Sequence, residues 1–292
     1  MCDVYASDVV AALIDLSLRE DLGEAGDRTV DAVVPAGQTL HGVVVAKAPG
    51  VLCGLPLFAR VFAAVAAGWG GGQVCVEEQA ADGTVVAAGQ AVLRCRGDAR
   101  TMLMSERTAL NFTQRLSGTA TVAAAYAAMV VGTPAAVYDT RKTTPGMRTL
   151  QKHAVVCGGC RNHRMGLHDQ ILIKENHIAL MGGSGGPAEA VRRARAAATG
   201  VRIQVEIERL DDLPGVIAAG ADMGLLDNMD LDQLRGAVRI RGDAPVELEA
   251  SGGITDERLP VVAATGVDRI SVGALTHSVR SLDLSLRCEA EA

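Results

Sequence analysis

Between residues 7 and 20 the apolar residues Val9, Val10, Leu13, Ile14, Leu16 and Leu18 recur on one side of a helix. Glu20-Asp21-Leu22-Gly23 and Gly26-Asp27-Arg28-Thr29 then read as a capped helix end and a turn. Residues 39–48, 73–79 and 84–95 are rich in Val and bounded by Gly, which predicts strands. An apolar stretch from Leu55 to Ala67, closed by Gly68, predicts a helix between the first two. The first hundred residues thus read as a small domain with one sheet. Residues 98–131 follow as a helix, with a break expected at Ser117-Gly118.

From residue 135 the pattern changes to short apolar runs separated by helical or loop stretches. The runs are AAVYD (135–139), ILI (171–173), RIQVEI (202–207), MGLLD (223–227), VELEA (246–250) and DRISVG (268–273). This alternation predicts parallel βα units, and six of them suit an open, incomplete α/β barrel better than a closed one of eight. Polar residues follow the runs at a common register: Asp139 with Arg141 and Lys142, then Lys174, Glu206, Asp227, Ser251-Gly252-Gly253 and Gly273. The carboxyl ends of barrel strands build active sites, and the last two loops often hold a phosphate.

Charge sharpens this picture. The stretch from Asp139 to Ile178 carries seven Lys and Arg against three acids, in a chain of net charge −6. Its cations stand beside the Gly-rich turns Pro145-Gly146 and Gly158-Gly159 rather than at helical spacing, which predicts an anion site. Glu206 and Asp227, placed opposite them, suit Mg²⁺ or the hydroxyls of a sugar. The combination fits a phosphorylated sugar with a diphosphate leaving group and a second anionic substrate. Aromatic residues make up 2% and the pI is near 5.5, which argues against a nucleic-acid binder. No signal peptide or membrane span is read, and seven scattered cysteines suit reduced thiols in a cytoplasm.

Ordered segments along nearly the whole chain resemble the quinolinate phosphoribosyltransferases, also called nicotinate-nucleotide pyrophosphorylases (carboxylating). They are EDLGEAGDRT, SERTALNFTQRLSGTAT, DTRKTTPG, GGCRNHRMGL, LIKENHI, VEIERL, LLDNMD, ASGGIT and GVDRISVGALTHS. The resemblance implies transfer of phosphoribose from phosphoribosyl pyrophosphate to quinolinate, with loss of CO₂, in NAD biosynthesis. It implies an N-terminal α/β sandwich over residues 1–115, joined by 279–292, and an incomplete barrel over 116–278. It also implies a homodimer with shared active sites, in which Arg107 is the residue lent across the interface. By motif, Arg141, His163, Arg164 and Lys174 would take quinolinate, and Lys142 would lie between the substrates. Glu206 and Asp227 would hold ribose hydroxyls and Mg²⁺, and Ser251, Gly252, Gly253, Gly273 and His277 would surround the 5′-phosphate. Arg107, His163 and His277 rest on the resemblance alone. Glu175 stands where the family often has Asp.

Other readings are weaker. A paralogous group associated with molybdenum transport shares much of the pattern but departs at LIKENH, where this chain keeps Lys174 and Asn176. Lys142 or Lys174 at a strand end could serve as the Schiff-base lysine of an aldolase. A phosphate-ligand sensor lacks any output module here. Cys157-Gly-Gly-Cys160 is a lone CxxC, expected as two reduced thiols rather than a redox pair or half of a zinc site with His163.

Overall fold

Side-chain caps open the first helices of this computed structural model, which describes residues 3–181, 185–197 and 200–290. The outer ends of the expected 1–115 and 279–292 segments therefore lie outside the described residues. The Ser7 hydroxyl accepts from Val10 N–H to start α1 (Asp8–Leu22), and the Asp27 carboxylate caps α2 (Arg28–Val33). The chain continues through β1 (Thr39–Ala46), β2 (Gly50–Val51), α3 (Pro56–Gly68), β3 (Val74–Gln79), β4 (Val85–Val86), β5 (Ala91–Asp98) and α4 (Ala99–Met129). Next come β6 (Ala136–Tyr138), α5 (Arg148–Cys157), β7 (Ile171–Ile173), α6 (Glu175–Leu180), α7 (Gly186–Ala197) and β8 (Ile203–Ile207). The remainder is α8 (Leu213–Ala218), β9 (Met223–Asp227), α9 (Leu231–Arg241), β10 (Glu247–Ser251), α10 (Arg258–Ala263), β11 (Arg269–Ser271), α11 (Ala274–His277) and β12 (Leu284–Ala290).

The first of two units comprises residues 1–124, 144–159 and 278–292. Its antiparallel sheet has the order β12-β1-β5-β3, and β2 pairs with β4. The C-terminal strand joins by register, with Val43 opposite Arg287 and Ala46 opposite Leu284. Val44, Leu93, Phe58, Phe62, Leu18, Leu110 and Leu116 are buried together as its core. The single strand expected over 84–95 is two strands, because Gly89 (φ +87°) turns the chain between β4 and β5.

Two expectations change in this unit. Helix α4 runs unbroken through Ser117-Gly118, and the boundary expected at 115/116 falls inside it. Gly118 is there because Arg280 O would lie 2.3 Å from any Cβ, and Ser117 Oγ bonds both the N–H and C=O of Cys53. The pair serves close packing rather than helix termination. Residues 144–159 pack with the first unit, because Leu150 and Ala154 of α5 enter its core. The expected 116–278 range is interrupted accordingly.

The second unit comprises residues 125–143 and 160–277. Six parallel strands run in the order β6-β11-β10-β9-β8-β7, so the two outer strands are not paired with each other and the barrel is open. A bridge between Tyr138 and Arg161 extends the β6 edge. Glu206 pairs with Leu225, Leu225 with Glu249, and Asp227 with Ser251, which puts these side chains on one face of the sheet. Among the described residues no helix is long and apolar enough to cross a membrane. The six described cysteines are free thiols.

Candidate active site

Strand ends and the loops beyond them carry the polar residues of the second unit. Beyond β6 the chain turns at Thr140, whose Oγ1 accepts from Lys142 N–H at 3.1 Å, and Arg141 and Lys142 enter a cavity of about 560 Å³. The Lys142 carbonyl accepts from the Thr276 hydroxyl at 2.9 Å, tying this loop to α11. Arg161 pairs its backbone with Val137 and Asp139 on the β6 edge, and this delivers His163 and Arg164 to the same cavity. Asp139 does not line the cavity. It is buried, and its carboxylate accepts from His163 N–H at 2.8 Å.

His163 has a defined orientation. Its Nδ1 accepts from Arg164 N–H at 2.7 Å, so Nε2 carries the proton and faces Glu249 Oε1 at 3.3 Å. Glu249 is fully buried and also receives Arg269 Nε (2.9 Å), Gln204 Nε2 (3.1 Å) and the Ser271 hydroxyl. Burial works against its ionisation, but His163 and Arg269 outweigh it and hold its carboxyl down at about 2. The Arg269 guanidinium in turn lies 3.6 Å from the centre of the Tyr138 ring. This network stiffens the floor from which His163 rises.

On the opposite wall Lys174 caps α6, its N–H donating to His177 Nδ1 at 2.9 Å, and its Nζ lies 3.5 Å from Glu206 Oε2. Burial raises the Glu206 carboxyl above its ordinary value, Lys174 opposes this, and Asp227 and Glu175 add to it. Glu206 Oε2 is buried without a hydrogen bond. A buried carboxylate oxygen held only by the long contact to Lys174, beside a second carboxylate, is a donor set that fits a hard divalent cation such as Mg²⁺. Arg164 is lowered from the ordinary arginine value by burial and by Arg141 beside it, so two guanidiniums face one pocket and call for an anion.

Glycine shapes the remaining wall. Gly252 (φ +90°) leaves no room for a Cβ, because Asn228 Oδ1 would lie 2.2 Å away. Asn228 itself has φ +53°, and its side-chain amide donates to Asp227 Oδ2 at 2.6 Å. A Cβ on Gly273 would meet His277 Nε2 at 3.0 Å and Lys142 Cδ at 3.1 Å, so this glycine leaves room for both.

Arg141, Lys142, His163, Arg164, Lys174, Asp227, Ser251, Gly252, Gly253, Gly273 and His277 therefore line one cavity, and Glu206 adjoins it through Lys174. Arg107 does not line it. It belongs to the first unit, 58% exposed, beside a separate cavity with Glu20, Asp21, Asn111 and Arg115. The cationic stretch from Asp139 to Ile178 divides too. Arg148, Lys152 and His153 lie on helix α5, contrary to the expectation that these charges avoid helical spacing. The CxxC also divides: Cys157 lies in the first unit, and Cys160 lies buried in the second with its thiol pushed up to about 12 by burial. Glu249, Ser271, Thr140 and Asn228 were not anticipated. A usable signal existed for Glu249 and Asn228. Alternation puts Glu247, Glu249 and Ser251 on one face of a buried strand, and Asn after a strand end tolerates positive φ.

Comparison with known proteins finds matches along most of the chain. Residues 27–117 match the N-terminal domain and residues 119–287 the C-terminal domain of the quinolinate phosphoribosyl transferase family. The nicotinate-nucleotide pyrophosphorylase [carboxylating] of Mycobacterium leprae is 42% identical over 281 residues, covering 96% of this chain and 97% of that protein. The probable nicotinate-nucleotide pyrophosphorylase [carboxylating] of Bacillus subtilis is 41% identical over 268 residues, covering 91% and 89%. The solved nicotinate-nucleotide pyrophosphorylase of Francisella tularensis superposes with a TM-score of 0.85 at 37% identity, covering 97% and 96% of the two chains. With both domain models matched in order and relatives above 40% identity over most of each chain, the chain belongs to the quinolinate phosphoribosyl transferase family.

Proposed function

We propose that this chain is a cytoplasmic phosphoribosyltransferase of NAD biosynthesis. It converts quinolinate and phosphoribosyl pyrophosphate to nicotinate mononucleotide, pyrophosphate and CO₂. One observation carries the reading: four cations, two carboxylates and a glycine-lined loop converge at the ends of parallel strands. Arg141, Arg164, Lys174 and His163 bind the two carboxylates of quinolinate, the guanidinium forks each matching a pair of oxygens. The Ser251-Gly252-Gly253 backbone, with Gly273 and His277, takes the 5′-phosphate. Glu206 and Asp227 take the ribose hydroxyls and would hold Mg²⁺, which when bound supplies positive charge to the diphosphate.

Lys174 and His163 set the pyridine ring so that its nitrogen points at the anomeric carbon. The bond from nitrogen to that carbon forms as the bond to pyrophosphate breaks, through a cation-like sugar. Lys142, between the substrates, stabilises the charge that leaves with pyrophosphate, and Glu206 and Asp227 stabilise the sugar. The resulting pyridinium accepts the electron pair released when the 2-carboxylate departs as CO₂, and a proton then replaces it on the ring. The active form is a homodimer, with Arg107 of the partner subunit completing each site.

A direct assay tests this. Protein incubated with quinolinate, phosphoribosyl pyrophosphate and Mg²⁺ should yield nicotinate mononucleotide and CO₂, and nicotinate in place of quinolinate should yield neither. Folded protein that gives no product from quinolinate would refute the assignment.

A further inference from the structure

Four side chains of metal-ligating type meet in the first unit, and none of them lines the cavity described above. Cys53 follows β2, Asp82 lies between β3 and β4, and His153 and Cys157 are one turn apart on α5. Their ligand atoms all lie within 4.8 Å of one another. His153 Nε2 is 2.9 Å from Asp82 Oδ2 and 3.5 Å from Cys157 Sγ. Around tetrahedral zinc, with bonds of about 2.0–2.3 Å, ligand atoms stand about 3.3–3.8 Å apart, so the cluster needs only small side-chain adjustments to close on an ion.

A second ring of contacts orients the cluster. The Tyr5 hydroxyl donates to Asp82 Oδ2, and its ring meets the His153 ring edge-on with centroids 5.5 Å apart. Gly54 N–H donates to Asp82 Oδ1 at 2.9 Å. Metal ligands elsewhere are held by such outer partners. Cys53 is buried, whereas the His153 and Asp82 side chains keep 32% and 18% of their surface exposed, which leaves a route in from solvent. Two sulfurs, an imidazole and a carboxylate are the ligand types of zinc, and Mg²⁺ or Ca²⁺ would take oxygens instead.

We propose that Cys53, Asp82, His153 and Cys157 bind one zinc ion, which pins α5 to the β2 and β3–β4 segments of the first unit. The ion closes the chain across long sequence separations and so adds its binding free energy to folding. It stands apart from the transfer chemistry, and the proposal survives if the proposed activity fails.

The test is metal content. Protein from zinc-supplemented cells, purified without chelator, should carry about one zinc per chain by elemental mass spectrometry. His153→Ala and Cys157→Ser should carry below about a tenth of that, and Glu206→Gln should carry the full amount. Co²⁺ in place of zinc should give the intense visible bands of a tetrahedral thiolate complex, absent in Cys157→Ser. If a variant does not fold, the wild-type chain still answers: stripping zinc should lower its Tm, and zinc but not Mg²⁺ should restore it. Wild-type protein without zinc, variants that keep it, or a Cys53–Cys157 disulfide by intact mass would overturn the proposal.

Discussion

At the scale of single residues the cavity depends on charges that are held rather than merely present. Arg141 and Arg164 share a pocket, and a charge-assisted contact to a substrate carboxylate contributes about 1.5–3 kcal/mol. Arg141→Ala should therefore lower kcat/KM for quinolinate by at least about tenfold, and an unchanged value in steady-state assays would remove Arg141 from the pocket. Glu249 behaves differently, since it touches His163 and Arg269 rather than the open cavity floor alone. Its carboxyl is depressed from the ordinary 4.5 to about 2, so its stabilisation is complete above pH 4.5 and is lost as pH falls toward 2. Glu249→Gln leaves Arg269 without its buried counter-charge and should cost about 3–5 kcal/mol. Urea midpoints measured from pH 5 downward should fall steeply for the wild type and more gently for the variant. Parallel slopes would show that Glu249 is not the titrating group.

At the scale of elements, helix and strand signals were legible wherever a period repeated over many residues. Helix α1 forms where its period predicts and buries Val10, Ile14 and Leu18, although Val9 and Leu16 from the same pattern are exposed. Two signals pointed the wrong way because their partners are distant in sequence. Gly118 reads as a helix breaker, but it lies inside α4 against the backbone of Arg280. On helix propensity alone Gly118→Ala should stabilise by about 0.5–1 kcal/mol. Packing predicts the reverse sign, because the new methyl meets a carbonyl that is part of the chain's return into β12. Thermal and urea unfolding of Gly118→Ala should show clear destabilisation, and a gain in Tm would mean the 280–281 segment yields easily. Helix α5 was hidden for a related reason: its charges Arg148, Lys152 and His153 looked like loop cations, although Leu150, Ala154 and Val155 form its buried stripe.

At the scale of the whole molecule, the strand ends of the second unit hold the site, and Arg107 lies in the first unit with an exposed side chain. If each site takes Arg107 from the partner subunit, Arg107→Ala and Lys174→Ala protomers should each be inactive alone. After subunit exchange, half of the dimers would be mixed, and each would hold one intact site of two. Activity should then rise to about a quarter of the wild-type value. No recovery on mixing, with exchange verified by native mass spectrometry, would end the shared-site reading.

Sequence alone determined what local physics and register can carry. The alternation of apolar runs with helical stretches implied an open parallel barrel, and the residues just past each run implied an anion site at its strand ends. That inference works because strand ends in parallel βα units share one face whatever the loops do. Only the tertiary structure decided what the loops and distant partners contribute. The Tyr138–Arg161 bridge brings His163 and Arg164 into the cavity, and Glu249 serves as the buried anchor of His163. Residues 144–159 leave the cationic stretch for the first unit, where Cys157 joins Cys53, Asp82 and His153. None of these follows from spacing, because each is set by burial of a stripe or a charge against residues tens of positions away.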